Sequence, residues 1–372
     1  MHVIQYWRLS NECLPPRLDG MHPSRDRFSA GRGYLAACTL GLPADVTRDA
    51  VRRDLERWSA GEATAADYSS ALERARGHAA TLLGTRADRI ATGSQVSVFA
   101  GLAAASAPAG AEVLCVDGDF SSVVAPFLAR GDLRVRHVPL GALADEITPS
   151  TWLVSYSLVQ SATGEVADAA SVAEAARAAG ALILLDTTQA TGWMPTTGLD
   201  ADLIVCHAYK WLGAPRGAAF AAVSDRAVDE FIPHTAGWYS GDDPWASCYG
   251  PELHLAEGAR RFEVSPAWHA WAGAEAALGF AAALDMREVQ LHDVGLANAF
   301  RERLGLAASD SAIVTWPDAD GSDLAALTAS GVVASGRAGR ARVAFHLWND
   351  EDDVASAAAA VTGRRMPLSA SR

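Results

Sequence analysis

Lys210 is the only lysine in the chain; every other cation among its 31 lysines and arginines is an arginine. Arginine stays protonated and cannot form an imine, whereas a desolvated lysine can lose its proton and attack an aldehyde. Lys210 sits in CHAYKWLGAPRG (206–217), between the apolar run LIVC and WLGAP, so its amine is expected to be buried. Asp186 closes the apolar run ALILLD, and Gln189 follows it in DTTQATG. Both Asp186 and Lys210 stand just past strand-like runs, so a carboxylate and an amine can meet above neighbouring strand ends, where open α/β sheets bind ligands. Each residue read alone has a plainer reading. A strand-terminal Asp is as often a helix cap, and a half-buried lysine can be a satisfied ammonium.

The pair suits an aldehyde-bearing pyridine, which needs an amine for its aldehyde and an anion to keep its ring nitrogen protonated as an electron sink. The group with that chemistry is pyridoxal phosphate, whose phosphate needs a cradle. ATGSQVSVFAGL (91–102) puts Gly and Ser between a strand and a helix, where backbone N–H groups and the Ser94 hydroxyl can bind an anion. Many such turns are plain connections. DFSS (119–122) offers Phe120 as a surface for ring stacking, though a core phenylalanine reads the same way.

Those positions need a scaffold, and the chain supplies a regular one. Apolar runs rich in β-branched residues occur at 89–92, 112–116, 133–138, 151–155, 181–186, 202–206 and 217–223. Helical patterns such as SSALERARGHAATLLG, SQVSVFAGLAAASA and DAASVAEAARAAG lie before or between them. Seven strands alternating with helices predict a mainly parallel sheet with helices on both faces. A Pro-, Gly- and Trp-rich stretch (232–251) interrupts the pattern. Beyond it an Ala-rich helix over about 266–284, strands near 311–316 and 341–347, and a last helix opened by NDEDDVASAAAAV predict a smaller α+β part. The formal charge of −13 argues against nucleic acid and anionic membrane surfaces as partners. No apolar stretch approaches the 18 residues of a membrane span, and the start lacks a signal-peptide layout. Five scattered cysteines without a CxxC pair fit reduced thiols in a cytoplasmic protein and give no metal signature.

The segment LLDTTQATGWMP…DADLIVCHAYKWLGAPRGAAF resembles the cofactor core of the class V aminotransferase family of fold-type I pyridoxal-phosphate enzymes. That family includes cysteine desulfurases, kynureninase, isopenicillin N epimerase and ergothioneine C–S lyase. The similarity runs from GYLAACTLGLP (33–43) to RVAFHLWNDEDDV (342–354). It implies a large cofactor-binding domain over 33–250 and a small C-terminal domain over 251–372, with residues 1–32 packing on that domain or on a partner subunit. It implies Lys210 as the Schiff-base lysine, Asp186 at the ring nitrogen, Gln189 at the ring hydroxyl and Phe120 stacked on the ring. Ser94 and Gln95 would sit at the phosphate, and His207 and Tyr209 replace the Ser and His that precede the lysine in desulfurases. Trp238 matches a kynureninase segment that reaches the neighbouring subunit's phosphate, which implies a homodimer. Arg342 matches the arginine that grips the substrate's α-carboxylate, with Arg337 and Arg340 as competitors for that role.

Two departures narrow the activity. Desulfurases carry a nucleophilic cysteine shortly before that arginine, where this chain reads VVASGRAGRAR; kynureninases usually have His where this chain has Gln189. The expectation is therefore a lyase of C–S type that performs α,β-elimination on an S-substituted cysteine or similar amino acid. Transamination is the alternative, with epimerisation or kynureninase-like hydrolysis behind it. A catalytically silent relative that only binds the cofactor is the non-enzymatic reading.

Overall fold

The computed structural model describes residues 25–365. Most of the N-terminal segment expected to pack on the small domain or a partner lies outside that range. Of the remainder, Phe28 packs edge-on against Phe280 and Trp348, at 5.9 and 5.2 Å between ring centroids.

Among the described residues the first complete helices are α1 (Asp45–Ser59) and α2 (Ala65–Leu83). Thr64 and Asp67 form a capping box at the start of α2, and Gly84 closes it in the left-handed conformation. Strand β1 (Ile90–Gly93) leads into α3 (Val96–Ser106). Then come β2 (Glu112–Val116), β3 (Arg134–Val138), β4 (Thr151–Ser157) and α4 (Ala169–Ala179). Strands β5 (Leu182–Asp186), β6 (Leu203–His207) and β7 (Ala219–Val223) complete the sheet. Every residue of these last three strands is buried, the pattern of strands covered on both faces.

The strand order is β1-β7-β6-β5-β4-β2-β3, with β7 alone antiparallel to its neighbours. This is the seven-stranded, mainly parallel sheet expected from the apolar runs. Register then builds the site. Gly93 pairs with Ala219, which pairs with His207, while Asp186 pairs with Ser157 on its other side. The turns after β1, β4, β5 and β6 therefore leave the sheet along one edge.

The C-terminal part holds α5 (Trp268–Ala282), α6 (Met286–Arg303), β8 (Ile313–Pro317), α7 (Ser322–Ala329), β9 (Ser335–Arg337), β10 (Arg340–Ala344) and α8 (Glu351–Arg365). Its sheet runs β8-β10-β9, all antiparallel. Val314, Trp316, Ala341 and Val343 enter a core with Phe300 of α6 and Val354 of α8. Side chains alternate across a strand, so Thr315, Arg340 and Arg342 share the opposite face with Ile313 and Ala344. Those two belong to the core cluster that also holds Leu185, Trp193 and Trp211. The cationic face of the small sheet is thereby turned toward the large one. Helix α5, sequentially part of the C-terminal half, packs its Trp271, Ala274 and Leu278 with Leu72 and Ala75 of α2.

Candidate active site

At the sheet edge Asp186 and Lys210 are each 5 % exposed. Burial pushes the Asp186 carboxyl up to about 6, against the Thr188 N–H at 2.8 Å on its Oδ1 and the nearby Lys210 charge. Burial likewise pulls the Lys210 amine down to about 8, with Asp186 opposing the fall. Desolvation outweighs the mutual attraction for both groups, so an amine that is ordinarily ammonium is poised to deprotonate near neutrality. The chain comes close behind it. A Cβ on Gly41 would lie 1.7 Å from the Lys210 carbonyl oxygen, so only glycine fits there.

Phe120 follows β2 and presents a ring 42 % exposed, with its centroid 5.2 Å from Lys210 Nζ. Beyond β1, half-buried Ser94 and exposed Gln95 open α3, and no side chain caps its first N–H groups. Gly93 is needed at that turn, because a Cβ would meet the Phe99 ring at 2.8 Å. His207 ends β6 with its Nε2 buried and without a partner. Burial, helped by Arg216, lowers its imidazole to about 4, so the ring is neutral at pH 7. Tyr209 packs edge-on to His207 at 4.4 Å, and the Arg216 guanidinium lies over the Tyr209 ring at 4.8 Å. An uncapped helix N-terminus and an orphaned imidazole on the same sheet edge, an exposed aromatic face, a depressed amine and a carboxylate are what pyridoxal phosphate requires of a protein.

Gln189 is held on all sides. Its Nε2 donates to the Cys38 carbonyl at 2.9 Å and the Ser161 hydroxyl at 3.1 Å, and its Oε1 accepts from Trp211 Nε1 at 3.0 Å. Arg342, 1 % exposed, donates from Nε to Ser335 at 3.1 Å, to the Ser161 carbonyl and hydroxyl, and to the Thr39 hydroxyl at 2.8 Å. The three arginines separate clearly. Arg340 turns to the Thr315 hydroxyl and carbonyl, each at 3.1 Å, and exposed Arg337 donates to the Gly336 carbonyl beside it. Only Arg342 is buried beside the lysine, and its charge bears on the Lys210 amine. Trp238 makes its ring contacts with Tyr239 at 4.9 Å and Trp245 at 5.2 Å of its own chain.

Several residues of the site carry no signal in the sequence that spacing could have read. Asp119 accepts from the Ser157 N–H at 2.8 Å, the Ser157 hydroxyl at 2.6 Å and Gln160 at 3.1 Å, and its charge helps raise Asp186. Ser161 receives both Gln189 and Arg342 on one oxygen. Cys38, buried, gives its backbone carbonyl to the Gln189 amide. Arg216 is marked in the sequence only as one more arginine.

This sheet, with a buried lysine and carboxylate at its carboxyl edge, defines a fold-type I protein whose cofactor is pyridoxal phosphate. The chain belongs to the aminotransferase class-V family, whose model matches residues 55–332. It is 30 % identical over 259 residues to the kynureninase of Deinococcus radiodurans, covering 66 % of this chain and 62 % of that protein. The alignment therefore spans less than two thirds of that relative. The cysteine desulfurase CsdA of Escherichia coli superposes with a TM-score of 0.80 at 18 % identity, over 92 % of this chain and 98 % of that one. A cystine C–S lyase, C-DES, gives a TM-score of 0.80 at 19 % identity over 89 and 97 %. Likeness at these identities concerns the fold.

Proposed function

We propose that the protein is a pyridoxal-phosphate-dependent lyase that eliminates the β-substituent of an S-substituted cysteine or similar amino acid. The observation that carries this reading is the β9–β10 connection. Ala338 and Gly339, with φ of 48 and 72°, form a two-residue hairpin immediately before the strand of Arg342. A sulfur-accepting cysteine on a loop has no place in so tight a turn. A sulfur that leaves the β-carbon there departs as the thiol.

In this reading Arg342 binds the α-carboxylate, and its guanidinium is pre-set by Ser335, Ser161 and Thr39. Ser94, Gln95 and His207 would hold the cofactor's phosphate, Phe120 would support its ring, Tyr209 lines the same edge, and Asp186 would hold its nitrogen. Gln189, both of whose N–H groups are taken, would accept from its hydroxyl on the second lone pair of Oε1. When bound, pyridoxal phosphate supplies the electron sink that makes the α-proton removable. Lys210 Nζ, with an amine lowered to about 8, takes that proton as general base. The electron pair of the Cα–H bond forms a double bond to Cβ while the Cβ–S pair leaves with sulfur. Addition of water then gives one thiol, one pyruvate and one ammonium per substrate. Two copies form the working unit, with Trp238 of each serving the phosphate site of the other.

The fate of the amino nitrogen tests the reaction. Release of ammonia equal to thiol, with no keto acid added, is the expected result. Strict dependence on a keto-acid acceptor that receives the amine would make the protein an aminotransferase. Cys38 favours a second reading, sulfur transfer, because it is buried, its carbonyl accepts from Gln189, and the next residue, Thr39, accepts from Arg342. Cys38→Ala should leave thiol and pyruvate release intact if elimination is correct. If the Cys38 thiol takes the sulfur, the parent protein gives alanine and a disulfide at Cys38 in place of thiol and pyruvate, and Cys38→Ala gives neither.

A further inference from the structure

We propose that Trp211, held by the buried Asp293–His346 pair, is the positioning residue that orients the Gln189 amide and fixes the main chain behind Lys210. The proposal rests on Lys210 and Gln189 holding the cofactor, and is independent of which substrate bond breaks.

An indole N–H can only donate. Its contact with Gln189 Oε1 at 3.0 Å therefore decides which end of the amide faces which way. A flipped amide would set NH₂ against N–H and leave the Cys38 carbonyl facing an oxygen. Trp211 thus aims the Gln189 NH₂ at Cys38 and Ser161, the side from which Arg342 also approaches.

Trp211 is fixed in turn through its own carbonyl, which accepts from His346 Nε2 at 2.9 Å. A carbonyl cannot donate, so that nitrogen carries the proton. The other ring nitrogen, Nδ1, lies 2.6 Å from Asp293 Oδ2, and the second oxygen of that carboxylate lies 2.8 Å from His292 Nδ1. The His346 ring also stands edge-on to Trp211 at 5.2 Å and to Trp348 at 4.9 Å. Asp293 and His346 are 0 and 1 % exposed. A buried polar pair of this kind gives little net stability over an apolar substitute, and its best-attested use is to specify one arrangement.

The arrangement specified here is a closed circuit. His346 continues the segment that carries Arg342; Arg342 donates to the Ser161 hydroxyl; Gln189 donates to the same oxygen; Trp211 donates to Gln189; and His346 donates to Trp211. A carboxylate drawing on Arg342 is by this route felt at the amide beside the cofactor. Helix α6, which supplies Asp293, thereby helps set the site without touching it.

The test is a double-mutant cycle on the holoenzyme with Trp211→Phe, Asp293→Asn and the two combined. The readouts are the cofactor dissociation constant and the visible circular dichroism per bound cofactor. Each single variant should weaken cofactor binding roughly fivefold to tenfold, as loss of one buried hydrogen bond does, and should lower the dichroism. The combined variant should be no worse than the weaker-binding single one, because both break the same circuit. A merely structural role would lower the melting temperature while leaving the dichroism per bound cofactor unchanged, and that result overturns the proposal, as do additive effects in the cycle. His346→Gln, which keeps an amide donor for the Trp211 carbonyl, replaces Asp293→Asn in the cycle should the latter not fold. Borohydride labelling of Lys210 in the parent protein separates the two levels: labelled Lys210 with an unaltered dichroism sinks the circuit alone, and unlabelled Lys210 sinks the cofactor assignment beneath it.

Discussion

Lys210 is a reactive amine because of where it is buried, and its titration makes this measurable. Its ammonium persists only up to about 8, so the rate at which apoprotein takes up pyridoxal phosphate should rise with pH toward that value and level off above it. A rate flat between pH 6 and 9 would contradict the depressed amine. The same shift links to stability. The folded amine lies below its ordinary 10.5, so the folded apoprotein binds fewer protons between about 8 and 10.5 and gains stability as pH rises through that window. Asp186 works oppositely: its carboxyl is raised from 3.8 to about 6, so the apoprotein loses stability as pH rises across that range. Urea midpoints measured against pH should show the alkaline gain in the parent and not in Lys210→Met. Borohydride reduction of the holoenzyme should mark one peptide, that holding HAYK, since Lys210 is the only lysine. An adduct confined to the N-terminal amine would remove Lys210 from its role. These residues were legible because imine chemistry admits few types: a lone lysine among arginines and a carboxylate ending an apolar run are readable as letters. Ser161, Asp119 and Trp211 were not, since their roles come from partners distant in the chain.

At the scale of elements, the buried ion pair of Arg76 and Glu263 holds the strand that leads into the Ser94–Gln95 turn. Arg76 is 4 % exposed and Glu263 0 %, and the Glu263 carboxylate also accepts the Thr92 N–H at 2.7 Å. Burial alone would lower the Arg76 guanidinium, and the Glu263 charge reverses the shift upward. Removing one partner strands the other in the core, so Glu263→Gln should cost about 3–5 kcal/mol in urea unfolding and loosen the Ser94–Gln95 turn. A loss below about 1 kcal/mol would show that the pair is not what fixes β1. The seven strands of the large sheet were legible because strands covered on both faces read as unbroken apolar runs. Strand β9 was not, because Ser335–Arg337 contains no apolar residue and exists only by pairing with β10. Helix α1 was hidden for a similar reason: Thr47 is its only buried residue, so its sequence shows little of a core-facing stripe. Helix α5 shows the other limit, since its place on α2 is a fact of space that sequence order does not carry.

The whole molecule leaves apolar surface that a net charge of −13 would not by itself bring together. Tyr249 is 90 % exposed and Trp245 52 %, both on the segment that follows Trp238, and Leu40 beside the Gly41 turn is 52 % exposed. Self-repulsion at that charge opposes association, so the proposed second copy would have to be held by burying such side chains. Trp238 fits this account. Its ring is fixed by Tyr239 and Trp245 of its own chain, which orients it as a rigid anchor of the kind that dominates interfaces. Sedimentation equilibrium should therefore give twice the 39.0 kDa of one chain. Trp238→Ala should raise the cofactor dissociation constant about tenfold, with little effect on the melting temperature of the apoprotein. Adding a Lys210→Met chain, which can lend its Trp238 but cannot form the imine, to the Trp238→Ala protein should restore cofactor affinity to half of the mixed sites. A monomer that binds cofactor fully and turns over at the full rate, or mixed chains that show no rescue, would place Trp238 in its own subunit alone.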